Sequence, residues 1–352
     1  MKSNKQSNLL RPVAFFALAA ILILTVAFAA SGYNETKDEG DDLSPPLQNE
    51  GENKPVQEPT PDYFDRLTGL PTTVDKTDLT GVAFVLNSTD PLFGVHSSKV
   101  TIEIPTEGGG TRLVVHLDKD ALPGKIGSLS PTRGYISSLS SAFSGLLVSY
   151  GNDGKLSGAD NNDGFDMSRI SGYSYTEYTT YHYTNADLVT AGIKNLSLTD
   201  TSGGALPFYF VKYGEELRLT QRATRLTIPY SDTNTTDLVY SGEDGEYKLL
   251  KNGNASIDLL NGKPLSYKNV FLLFADSITY ETSDYTEMIL NTDGGGKGIY
   301  LTNGTYREIY WSKGEGGELI FTTPEGDLLE INRGTSFISV AKSSESKNIT
   351  II

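Results

Sequence analysis

Apolar positions along this chain fall into short blocks separated by polar or glycine-rich breaks. From Gly81 the blocks GVAFVLN, KVTIEI, TRLVVHLD and, from Gly145, GLLVSYG read as strands. Between them Tyr135, Ile136, Leu139 and Phe143 recur at helical spacing, with Gly145 as a stop, and predict a helix over Tyr135 to Phe143. Asn185 to Leu196 carries Leu188, Val189 and Ile193 on one face and predicts a second helix. Strands alternating with amphipathic helices point to an α/β domain.

After about Thr201 the pattern changes to short runs at near-regular spacing with turn signals between them: LRLTQRATRLTIPY, TDLVYS, EYKLLKNG, ASIDLLNG, NVFLLFADSITY and TEMILN. The stretch from Gly294 to Lys313 reads as a β-hairpin. Ile299, Leu301, Ile309 and Trp311 alternate, and Asn303-Gly304 is the dipeptide that accepts positive φ at both centres of a type I′ turn. The expected fold class is α+β: an N-terminal α/β domain over residues 63–205, a mostly antiparallel β-rich domain over 206–342, and a tail over 343–352. The boundary is expected within Gly203 to Pro229.

The first 62 residues read differently. Lys2, Lys5 and Arg11 precede the apolar run Val13 to Ala30, a charged segment leading into a hydrophobic one suited to export. As a helix the run reaches roughly 27 Å, close to the hydrocarbon thickness of about 30 Å. A retained transmembrane helix and a signal cleaved after Ala27-Phe28-Ala29 are both open readings of residues 1–30, and either puts the remainder outside the cytoplasm. Ser31 to Asp62 is rich in Asp, Glu, Pro, Asn and Gln, and is expected to be a disordered acidic linker.

Composition narrows the chemistry. The chain of 352 residues carries 29 Lys and Arg against 44 Asp and Glu, a net charge of −15 that argues against a nucleic-acid partner. There is no cysteine, which excludes disulfides, thiol catalysis and Cys-ligated zinc. The three histidines are scattered at 96, 116 and 182, so no metal site is expected. No nucleotide fingerprint, Ser/His/Asp elbow or HExxH helix occurs, so no cofactor is expected and catalysis has no positive support.

Several strings together carry a resemblance. KGIYLTNG and IYWSK in the hairpin, followed by LEINRGTSFISV from Leu329 to Val340, resemble the C-terminal domain of the YerB-like family of bacterial lipoproteins, whose paired N- and C-terminal domains have no assigned function. FDRLTGLP from Phe64 resembles that family's N-P-L-T-G-L-P, EGGGTR from Glu107 its E-G-G-I-T-R, and IGSLSPTRGY from Ile126 its G-P-x-R-S-A-R-P-Y. Two departures stand out. Ser130 takes the place of the first arginine of R-S-A-R, while Arg133 keeps the second, and no cysteine follows the apolar segment for lipidation.

The candidate ligand-binding residues are Asn87, Glu107, Gly108, Gly109, Arg112, Arg133 and His182. Glycines at 108 to 110 permit backbone N–H groups to converge on an oxyanion, and arginine offers a bidentate fork. The plainer alternative is a glycine-rich turn with Arg112 paired to Glu107 or Glu103. Arg133 precedes the predicted helix and is equally readable as a solvated side chain. His182 resembles the family's H-N-x-Y-T segment and suits acid–base work, or packs among tyrosines. Asn87 ends a strand where α/β ligands sit, or simply begins a turn. Asp153 to Asp160 matches only the second half of a calcium loop, so a flexible acidic loop is expected.

These features point to a cell-envelope protein that binds or scaffolds without catalysis, its partner an unidentified envelope protein or small anion, with the N-terminal segment contacting the membrane. Two alternatives remain: an enzyme acting on an anionic envelope precursor, with Glu107 as base and the arginines as clamps, and a module that binds peptide by strand addition to the β domain.

Overall fold

Strand β1 (Gly81–Asn87) is buried from Val82 to Leu86, and its side chains alternate between two cores. Ala83 and Val85 join one apolar cluster, while Val82, Phe84 and Leu86 join another on the opposite face. Strand β3 (Thr111–Asp118) splits the same way, Val114 to one cluster and Leu113, Val115 and Leu117 to the other, whereas β2 (Val100–Pro105) gives Val100, Ile102 and Ile104 to the first cluster and turns Thr101 and Glu103 to the opposite face; β3 pairs antiparallel with both β1 and β2. The computed structural model describes residues 60–75, 81–143, 145–151, 164–198, 207–281 and 286–352.

These strands belong to a 14-stranded sheet. The first half adds β4 (Ile126–Leu129), β5 (Leu146–Ser149), β6 (Gly164–Asp166), β7 (Tyr175–Glu177) and β8 (Tyr181–Thr184). The second half adds β12 (Asn269–Ala275), β15 (Gly295–Thr302), β16 (Thr305–Lys313) and β17 (Ser336–Lys342). Along its main path, after the two-residue strand Gln221–Arg222, the order is β16-β15-β12-β17-β2-β3-β1-β4-β8-β7, with β17 parallel to both β12 and β2. A smaller sheet, built on β9 (Arg225–Ser231), β10 (Asn234–Ser241) and β11 (Glu246–Lys251), covers one face with Leu226, Ile228, Leu238 and Leu249. The other face is covered by helix α1 (Gly134–Ser140), through Tyr135, Ile136 and Leu139, and by Met288 and Leu290 of the ribbon β13 (Ser277–Glu281) and β14 (Thr286–Leu290).

The α/β expectation for residues 63–205 is corrected by this arrangement. The protein is β-rich throughout: among the described residues the α-helices are α1 and α2 (Ala186–Asn195). Both helices were legible, α2 with Asn185 as its cap, its side chain accepting from the Leu188 N–H at 2.9 Å. The connections between β1, β2 and β3 contain only single 3₁₀ turns, too short for crossover helices, and β3 lies between the other two, antiparallel to both. β1 and β3 fitted an α/β pattern because apolar residues occupy both of their faces.

Residues Glu58–Ile352 form one compact unit, and the large sheet passes across the expected boundary at 205/206 where β17 pairs with β2. Independent folding of 63–205 and 206–342 requires that this edge survive unpaired in water; hydrogen exchange on each piece expressed alone decides the matter. The LTGLP segment is likewise fixed to the far end of the sequence. Arg333 donates to the Gly69 and Val211 carbonyls and stacks on Phe64 at 4.4 Å, while Asp65 caps the turn and pairs with Lys99 at 2.5 Å.

The hairpin of β15 and β16 forms with Asn303 and Gly304 at φ of 51° and 70°. Among the described residues no helix is long and apolar enough to cross a membrane. The transmembrane helix expected within residues 1–30, the linker as far as residue 59 and the acidic loop at 153–160 lie outside the described residues.

Candidate functional site

The turn joining β2 to β3 holds the first group of candidates. Thr106 N–H bonds to the Gly110 carbonyl at 2.8 Å, and Gly108 and Gly109 take φ of +71° and +76°, the left-handed region that favours glycine. Gly109 also touches the second sheet: a Cβ there would lie 2.5 Å from that of Ser231, and its carbonyl accepts from Asn234 at 2.9 Å. A tight turn pinned this way sets the direction of Glu107.

Glu107 meets Arg133, which stands just before α1. The guanidinium grips the carboxylate at both oxygens, Nε to Oε1 at 3.3 Å and Nη2 to Oε2 at 3.2 Å. Met288 N–H of β14 adds a third donor at 3.3 Å. Burial pushes the Glu107 carboxyl up, but the bonds and charge of Arg133 outweigh it and hold the group below the usual carboxylate range.

Arg112 lies on β3, between Asn87 of β1 and Ile104 of β2 in the sheet register. Its Nη1 donates to the neighbouring Thr111 carbonyl at 3.3 Å, and its Nε is buried with no hydrogen-bond partner among the described residues. Burial, and then the like charge of Arg133, pulls its pKa below arginine's ordinary value; Asp90, Tyr135 and Glu107 pull the other way. Glu107, Arg112 and Arg133 are therefore gathered within electrostatic reach of one another at one end of β3.

The other candidates are engaged locally. Asn87 turns its amide oxygen onto Thr89, accepting from its N–H at 3.3 Å and its hydroxyl at 3.1 Å, an Asx turn. His182 of β8 stacks on Tyr150 with centroids 3.5 Å apart and planes 8° from parallel, and its Nδ1 meets Thr176 Oγ1 at 3.0 Å. Burial lowers its pKa. Ser130, where the family pattern has arginine, is buried at 4% exposure, with its N–H bonded to the Val85 carbonyl at 2.8 Å.

Two members of the cluster were not anticipated. Asp90 faces Arg112 from the turn after β1, its carboxyl pushed up by burial against the pull of Ser128, Asn87 and Arg112. A carboxylate three residues past a strand that ends in a candidate was the available signal. The Met288 N–H had none, since a backbone donor from 181 residues away leaves no mark in the side-chain pattern.

The fold and the strings match known proteins. Residues 226–338 match the C-terminal domain of a family described as a protein of unknown function, DUF3048. The chain is 23% identical over 303 residues to the Bacillus subtilis (strain 168) protein named "Putative lipoprotein YerB", covering 81% of this chain and 88% of that one. The crystal structure of YerB from Bacillus subtilis superposes with a TM-score of 0.70 at 21% identity, over 82% of this chain and 99% of that chain.

Proposed function

The chain belongs to the YerB-like family, and on that premise we propose that it is an extracytoplasmic cell-envelope protein that binds a ligand without catalysis, with the Arg112 and Arg133 cluster taking an anionic group. The observation that carries this reading is the state of Arg112. A largely buried guanidinium with a partnerless Nε sits beside a second guanidinium whose carboxylate partner is already taken. Asp90 and Glu107 act on Arg112 by charge but leave its Nε without a hydrogen bond, and a phosphate or carboxylate between the two arginines would supply that acceptor while using their bidentate geometry.

The enzyme alternative is the weaker one because Glu107 is a poor base: three donors and a lowered pKa favour its charged form. The extracytoplasmic location rests on the N-terminal charged and apolar segments and on the lipoprotein name of the relative. Strand addition finds no comparable observation in the β9–β11 sheet.

Arg112→Ala tests the site. Titrated with inorganic phosphate and with citrate, the variant should lose affinity corresponding to about 2–5 kcal/mol relative to the wild type, with a melting temperature equal to or above wild type. Unchanged anion binding together with a lowered melting temperature would show that Arg112 serves the fold instead.

A further inference from the structure

Five tyrosines lie between Tyr173 and Tyr183, in the string YSYTEYTTYHY. This string folds as the hairpin of β7 and β8, with β7 at the terminal edge of the large sheet. The hairpin turns on Tyr178 and Thr179, with Thr180 N–H reaching the Glu177 carbonyl at 3.4 Å. Both central residues have positive φ, 53° and 62°, the signature of a type I′ turn. Asn-Gly satisfies that geometry without strain; an aromatic residue followed by a β-branched one does not. The tip therefore holds a strained backbone that leaves Tyr178 83% exposed.

The surroundings extend this surface. On one face of the hairpin the half-exposed rings of Tyr150 and His182 stack in parallel. On the other, Tyr175 and Tyr181 are half-exposed, and Glu177 is neutralised by Lys125 at 2.8 Å. Thr176, Thr179 and Thr180 add exposed hydroxyl groups. The patch is thus aromatic, rich in hydroxyls and without net charge, on a chain whose formal charge is −15.

We propose that this hairpin is a second binding surface, separate from the arginine cluster, and that it takes an uncharged polysaccharide strand. Tyrosine rings offer rigid amphipathic area, an apolar face for the C–H face of a sugar ring and a hydroxyl for its polar rim. The acidic surface repels polyanions at long range, and a cationic partner would be drawn to carboxylates rather than to a patch whose one carboxylate is already paired. A neutral, hydroxyl-bearing polymer matches every feature of the tip.

The test uses the full chain, incubated with insoluble cellulose and with insoluble chitin, beside Tyr178→Ala, the double variant Tyr178→Asn/Thr179→Gly, and Arg112→Ala. The wild type and Arg112→Ala should be retained equally on at least one matrix, and both tip variants should be retained at least tenfold less. The double variant relieves the turn, so its melting temperature should rise by roughly 2–4 °C while binding falls, a combination that a purely structural role for the tip does not produce. Absence of wild-type retention on both matrices, or equal retention of folded wild type and double variant, would overturn the proposal.

Discussion

Replacing Lys251 by methionine should destabilise the protein by about 3–5 kcal/mol, the loss that follows from breaking a buried ion pair at one partner. Glu103 of β2 is 1% exposed and Lys251 at the end of β11 is 12% exposed, and the two form an ion pair between the sheets. Lys251 also donates to Thr236 at 2.8 Å and Thr111 at 3.1 Å, and Thr111 in turn donates to Glu103 at 2.7 Å. Methionine keeps the length and volume but leaves the Glu103 charge in a dry core with one hydroxyl for company. Urea unfolding of wild type and variant measures the loss. Glu103→Gln/Lys251→Met should recover part of it, because no charge then remains to be buried. A single-variant loss below about 1 kcal/mol would place the pair among ordinary solvated salt bridges.

Acid should destabilise the fold through His116, and replacing that residue should flatten the response. His116 on β3 is fully buried, its ring 5.3 Å from that of Phe143, and burial pushes its pKa from 6.5 down to about 3. The unfolded chain takes up a proton on this residue near pH 6.5 while the folded one refuses it until about pH 3. Between those values the unfolded state binds more protons, so stability falls as pH falls. The shift corresponds to roughly 5 kcal/mol if the whole window is crossed. In denaturant titrations from pH 7 to pH 3.5, the stability difference between wild type and His116→Phe should change steadily in favour of the variant. Parallel profiles would show that His116 is protonated as easily in the folded state as in the unfolded. The carboxylates with lowered pKa, Glu107 and Asp237 among them, add an acid response of the same sign that both proteins share.

Features read correctly from the sequence share a short range. Asn303-Gly304 announced its hairpin because two adjacent residues carry the whole requirement of a type I′ turn. Leu188, Val189 and Ile193 announced α2 because they recur at helical spacing on one face, within two turns of one another. The α/β assignment failed for a reason visible in β1 and β3. An antiparallel strand covered on both faces loses its polar alternation, and its run of apolar residues then matches that of a parallel strand. The candidate site divides along the same line. EGGGTR was readable as a turn with an arginine beside it, and Arg133 as a residue before a helix. Their meeting depends on a contact across 26 residues, and the third donor to Glu107 comes from 181 residues further on.

By itself, then, the sequence determined the hairpin turns, the two helices, the acidic cysteine-free character and the strings that tie the chain to its relatives, all properties of composition or of neighbours a few residues apart. Only the tertiary structure decided the strand order that sets β17 between β12 and β2, the burial of Glu103 against Lys251 from 148 positions away, and the crowding of Arg112 against Arg133. Those outcomes follow from which faces cover which. Burial of apolar area is non-directional, so the pattern of a strand states that it will be covered without naming the strand, sheet or helix that covers it.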